Sequence, residues 1–156
     1  MTLNVQAQGL SNPVTGYKKF LQTDHTIYIA TDREGKSTNA IGLLKVGRKN
    51  LYLHDTYGNL RHVQPLCVLD FYVHESQQRQ GYGLRLFGFM LQDQNVKPHC
   101  LAIDRPSSKM ISFLKRHYCF SDIELHSNSF GISPKFFSEC QRSHPEVFVS
   151  KPRLFR

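Results

Sequence analysis

The stretch Val68–Gly83, VLDFYVHESQQRQGYG, constrains the fold of this chain more than any other. Val68, Leu69, Phe71, Tyr72 and Val73 are β-branched, aliphatic or aromatic, and only Asp70 interrupts them, so the stretch opens as a strand. It then turns polar and passes through Gln78-Arg79-Gln80-Gly81-Tyr82-Gly83. Directly afterwards Leu84, Phe87, Met90 and Leu91 recur at helical spacing, predicting a helix over Leu84–Asp93. Strand, glycine-containing loop and helix together suit a phosphate. The first-turn N–H groups of a helix lack intrahelical partners, and the helix dipole adds partial positive charge there. Gly81 and Gly83 let the backbone turn tightly and approach a ligand closely, and Arg79 adds a fixed cation.

A plain strand–turn–helix connection would show the same short string, so its type has to be narrowed. No G-K-[ST] follows the loop, which excludes the Walker type. The third glycine and the acidic ribose ligand of the dinucleotide fingerprint are both missing. What remains is Q/R-x-x-G-x-G/A between a strand and a helix, which is similar to the acetyl-CoA loop of the GCN5-related N-acetyltransferases. Longer runs sharpen this. Pro65–Ser76, Gln78-Arg79, Leu101–Ser107, Phe113-Leu114 and His117-Tyr118 resemble the α-tubulin N-acetyltransferase family, over about Gln8 to Phe137 and most densely from Leu43 to Tyr118.

The resemblance implies an α/β fold with a mixed, mainly antiparallel sheet flanked by helices. It implies acetyl-CoA as co-substrate, held along Phe71, Tyr72, Val73 and His74, by Gln78, Arg79, Gln80, Gly81, Tyr82, Gly83 and Leu84, and at its nucleotide end by Arg105, Ser107, Ser108 and Lys109. It also implies a bulge in the central strand that splays the sheet, α-tubulin in microtubules as acceptor, and a cytoplasmic, cytoskeletal setting that extends to a cilium or flagellum. The family usually carries several dozen residues ahead of Gln8, so the first strand here is expected to be an exposed edge.

At 156 residues the chain is read as an acetyltransferase domain over 1–140 followed by a basic tail over 141–156. No run is apolar enough to span a bilayer, so no membrane is expected, and the chain is read as an intracellular monomer. The net charge of +8 points to an acidic partner, with simple solubility as the plain alternative. Lys45, Arg48 and Lys49 can line such a basic surface or merely a solvated strand end. Before Ser143 few segments interleave Lys/Arg with aromatics in the manner of a nucleic-acid platform. Cys67, Cys100, Cys119 and Cys140 fit no zinc spacing, so free thiols and no metal are expected.

Strands are expected at Thr26–Thr31, Ala40–Val46 and Asn50–Leu53, as an antiparallel meander with turns at 32–37 and Tyr57-Gly58-Asn59. After Pro98 a short strand, Cys100–Ile103, precedes a second helix on which Met110, Ile111, Phe113, Leu114 and His117 keep helical spacing, with Ser107 as N-cap. A last strand is expected at 128–132 and a helical turn at 134–139.

Acetyl transfer to a lysine needs a polarised thioester carbonyl and a base, because an ammonium of pKa about 10.4 is not a nucleophile. Backbone N–H groups can polarise the carbonyl, and the resemblance implies those near Tyr72 and Val73. Cys67, before the central strand, and Asp104, at the end of the neighbouring one, converge on one cleft and are the candidate bases. The family's catalytic Asp and Cys fall on these two residues, and a glutamine that it needs for activity falls on Gln8. On residue type alone, Asp104 fits a helix cap or a partner for the lysine's charge, and Cys67 a core thiol, equally well. The alternatives are a non-catalytic acetyl-CoA- or microtubule-binding module, an acetyltransferase for another protein lysine or amine, and a nucleic-acid binder.

Overall fold

The computed structural model describes residues 23–34 and 37–140. Gln8 and the basic tail lie outside the described residues. The first strands are β1 (Thr26–Glu34), β2 (Ser37–Arg48), β3 (Leu51–His54), β4 (Leu60–Val63) and β5 (Leu66–Val73). Helix α1 (Tyr82–Asp93), β6 (Ala102–Asp104), α2 (Ser108–Tyr118), β7 (Glu124–Leu125), β8 (Phe130–Ile132) and α3 (Phe136–Cys140) follow.

Six strands form one sheet in the order β1-β2-β5-β6-β8-β7. All its pairs are antiparallel except β5–β6. A parallel pair needs a long crossover, and α1 lies within it, packed against β1, β2 and β5. Among the described residues β1 is an edge of the sheet.

The expected meander is corrected. β3 does not extend the sheet but pairs with β4 in a hairpin of its own. Its alternation explains this, because Leu51 and Leu53 are buried while Tyr52 and His54 are exposed. The two leucines pack with Cys67, Ala102, Phe130, Ile132 and Phe136, so the hairpin lies over one face of the sheet. β4, LRHV, lacks an apolar alternation, which hides it as a strand in the sequence.

Asp55 closes this hairpin. Its carboxylate accepts from the Tyr57 and Asn59 N–H groups, both at 2.9 Å, and from Arg61 Nε at 2.9 Å. Desolvation pushes its carboxyl up, but these donors outweigh it and hold it at about 2. A depressed carboxyl stabilises the fold above its unfolded value near 3.9, and that contribution is lost as pH falls toward 2. Asp55→Asn is therefore expected to lower Tm at pH 7 and to flatten the Tm profile between pH 4 and 2. An unchanged profile would show that the turn does not depend on the ionised carboxylate.

The helices cover the other face. Leu44, Val46, Val68 and Ile103 from the sheet meet Leu86, Phe87 and Met90 of α1 and Met110 and Leu114 of α2. Leu84, which helical spacing groups with the apolar stripe, is 39% exposed, and Leu86 takes its place. His117 is likewise exposed on α2. Ser107 caps α2 as expected, its hydroxyl accepting from the Met110 N–H at 3.2 Å. The strand expected over Cys100–Ile103 starts two residues later, because Pro98–Cys100 form a 3₁₀ turn.

The expectation of four free thiols is corrected as well. Cys100 and Cys140 form a disulfide with Cα atoms 5.4 Å apart, joining α3 to the turn that leads into β6. Cys67 and Cys119 are free. Spacing along the chain carries no information on this pair, because 40 residues separate its members.

Candidate active site

The site begins where β5 and β6 part. Their ladder contains Cys67↔Ala102 and Val68↔Ile103 and stops there. β5 runs on to Val73, paired only with β2 on its other side. Within the β2–β5 ladder the register jumps from Val46↔Val68 to Lys45↔Asp70, leaving Leu69 as an extra residue. This is the expected bulge, and it bends β5 away from β6 at the point where their pairing ends.

The bulge sets which groups face the opening. Antiparallel pairing alternates, and the His74 N–H donates to Ile41 O at 2.7 Å. The N–H groups of Tyr72 and Asp70 therefore point toward β2, and those of Phe71 and Val73 toward the opening. Of the two residues expected to polarise a carbonyl, Val73 presents its N–H to the gap and Tyr72 does not.

At one end of the opening sits the glycine loop. Gly81 is the N-cap of α1, with φ of 85° and no side-chain capping bond, so the first-turn N–H groups are left for a ligand. A Cβ at Gly81 would meet nothing within 4 Å, so backbone conformation alone selects glycine there. Arg79 is also left-handed, with φ of 65°, a conformation that costs a non-glycine residue roughly 1–2 kcal/mol. Gln78 fixes the loop to the strand, its Nε2 donating to Val73 O at 2.9 Å. Gln80 Nε2 donates to Ser76 O at 3.0 Å. The His74 ring is occupied by Ser76, Nδ1 lying 2.8 Å from its hydroxyl. Below the loop, Phe71, Phe87 and Phe113 form a ring cluster with centroids 5.2–5.7 Å apart. Gly83 rests on this cluster, its added Cβ lying 3.4 Å from Phe71 Cζ and 4.0 Å from Phe113 Cε2, which places α2 beside the start of α1.

The expected cluster at the start of α2 is only partly assembled. Ser107 is engaged as the cap, and Ser108 and Lys109 are exposed beside it. Arg105 turns back, its Nε donating to Asp104 Oδ1 at 3.2 Å.

Cys67 and Asp104 do lie on one face, the one that carries the hairpin. Asp104 follows Ile103 directly, at the point of separation, with its side chain 21% exposed. Cys67 is fully buried beneath Leu51 and Leu53, and its thiol donates to Pro65 O at 3.5 Å. Burial is the main cause that pushes this thiol up to about 12, and Lys49 and Arg48 only soften the effect. Burial therefore favours the thiol over the thiolate that a base would need.

Sequence reasoning misses one residue here. Asp70 is half-buried immediately past the bulge, opposite Lys45. Burial pushes its carboxyl up, against the Phe71 N–H and Lys45. Its only signal in the sequence is a single carboxylate inside VLDFYV.

Among the described residues no group of three or more His, Cys, Asp or Glu is placed to hold a metal ion. No helix among them is long and apolar enough to cross a membrane.

A family model described as GNAT acetyltransferase, Mec-17, matches residues 2–153. The chain belongs to this family. The α-tubulin N-acetyltransferase of Schistosoma japonicum is 42% identical over 156 residues, covering 95% of this chain and 58% of the relative. That of Aedes aegypti is 47% identical, covering 87% of this chain and 50% of the relative. That of Tetrahymena thermophila is 48% identical, covering 84% and 32%. The chain thus spans between about a third and somewhat over half the length of these relatives. The fold is also similar to a mutant of the AtaT toxin, with a TM-score of 0.55 at 14% identity over 78% of this chain and 73% of that one. A mutant of KacT gives a TM-score of 0.52 at 14% identity over 72% and 71%. These two likenesses bear on the fold alone, the mixed sheet flanked by helices.

Proposed function

We propose that this chain transfers an acetyl group from acetyl-CoA to a lysine of α-tubulin within a ternary complex. The observation that carries the proposal is the opening between β5 and β6, with an uncapped helix N-terminus at one end and Asp104 at the other. The α1 N-terminus and Arg79 would hold the pyrophosphate. The Val73 N–H would meet the thioester carbonyl, and Asp104 would meet the incoming ammonium. Gln8 keeps its proposed role from family resemblance alone. The protonated Cys67 would close the site from behind, keeping the reacting groups out of water.

Lys45, Arg48 and Lys49 suit an acidic protein surface such as tubulin. The reading has the chain acting as a monomer on cytoplasmic microtubules, including those of cilia or flagella, without a nucleic-acid or membrane partner.

Acetyl-CoA and polymerised tubulin incubated with the chain should yield one modified lysine on α-tubulin by mass spectrometry. Bound acetyl-CoA without transfer to tubulin would overturn the acceptor assignment. Arg79→Ala is expected to weaken acetyl-CoA about tenfold or more, since a hydrogen bond to a charged group contributes about 1.5–3 kcal/mol. Calorimetric titration measures this, and an unchanged Kd would place the pyrophosphate away from the loop.

A further inference from the structure

Two carboxylates, not one, border the opening. Asp104 stands on β6 where the ladder ends, and Asp70 stands on β5 one residue beyond the bulge. The register puts Asp70 opposite Lys45, Cys67 opposite Gly47 and Cys67 opposite Ala102, all on the face that carries the hairpin. Asp104 is two residues beyond Ala102 and shares that face. Asp70 thus stands on that same face of β5, just beyond the point where the β5–β6 ladder stops. Asp104 is already shared with the Arg105 guanidinium. Cys67 is sealed in the core.

Resting on the acetyl-transfer reading above, we propose that Asp70 is a second catalytic carboxylate, which takes the proton that the acceptor ammonium gives up while Asp104 holds that ammonium in place. The ammonium passes one proton to the Asp70 carboxylate and becomes a free amine. The nitrogen lone pair forms the C–N bond to the acetyl carbon, the C–S bond breaks, and its electron pair leaves on the coenzyme A sulfur. The nitrogen then sheds a second proton, the thiolate takes one up, and one proton passes to solvent overall.

The environments of the pair divide the two tasks. Burial favours the protonated form of Asp70, which suits a group that must accept and hold a proton. Lys45 faces it from β2, Asp104 with its partner Arg105 follows the last residue of β6 that pairs with β5, on the same side of the sheet, and Cys67 lies on its own strand. His25, with Lys45 and Lys49 acting on it, lies against Gly47 farther along the same face. Asp70 must be ionised to act, so activity should fall as pH drops through its raised value.

The test uses the full chain with two acceptors, polymerised tubulin and n-butylamine, and measures acetyl-CoA affinity alongside. Asp70→Asn should lower kcat/KM for both by about 100-fold or more at pH 7. Its acetyl-CoA Kd should stay within twofold, and its acid limb should move. Asp70→Glu should recover part of the rate. Asp70→Asn with Asp104→Asn should be no slower than the poorer single variant, because the two act as a unit. Transfer by the wild type to butylamine alone, with the same loss in Asp70→Asn, would overturn the tubulin assignment and support Asp70. An Asp70→Asn variant within threefold of wild type would overturn the role of Asp70. So would loss of acetyl-CoA binding in both Asp70→Asn and Asp70→Glu, and so would a wild type that acetylates neither amine.

Discussion

Asp104→Asn is expected to lower kcat/KM for tubulin acetylation by about 100- to 10,000-fold while leaving the acetyl-CoA Kd within twofold. The substitution keeps the shape of the side chain and removes only its charge. It leaves Arg105 without its carboxylate partner, but Arg105 is 78% exposed and water replaces the contact at little cost. The glycine loop and α1 are untouched, which is why cofactor affinity should survive. On the proposed mechanism the ammonium would then meet an amide instead of a carboxylate, and its deprotonation would lose the charge that draws it in. Steady-state kinetics with tubulin and a separate titration of acetyl-CoA separate the two effects. Full activity in the variant would remove Asp104 from the mechanism. A parallel loss of cofactor binding would make it a structural residue of β6.

Cys100→Ser is expected to cost the oxidised protein about 4 kcal/mol, the loop-closure entropy of a disulfide spanning 40 residues. For a chain of this size that corresponds to a Tm lower by roughly 8–15 °C. The bond ties α3 to the turn before β6, and β6 carries Asp104, so reduction should loosen the acceptor side of the opening more than the loop side. Thermal melts of wild type with and without a thiol reductant, beside Cys100→Ser, measure the effect. The reduced wild type should match the variant. A Tm that ignores both reductant and substitution would show that α3 is held by Phe136 and its neighbours alone.

Much of the site is legible along the chain. The strand–loop–helix of Val68–Asp93 carries its signals within a few residues of each other: apolar runs, two glycines, and helical spacing. Ser107 can be read as a cap because its partner is three residues away. That Cys67 and Asp104 belong to neighbouring strands follows from their places in the chain, and the register puts them on one face.

Other features depend on which distant segments meet. Burial decided the state of Cys67, because Leu51 and Leu53 cover it and no pattern around Pro65-Leu66-Cys67 says that they will. The meander failed for the same reason, since alternation in LYLH shows that one face is buried but not against what. The Cys100–Cys140 bond joins residues whose separation is set by the path of four elements between them. Asp70 is visible in the sequence as an oddity within a strand. Its place appears only when a one-residue slip at Leu69 sets it opposite Lys45 at the point where β6 leaves. Residue types and short spacings thus determined the chemistry available: a phosphate cradle, carboxylates and a thiol. Strand register and burial, which arise from contacts between segments tens of residues apart, decided which of those groups stand where β5 and β6 part and which are buried.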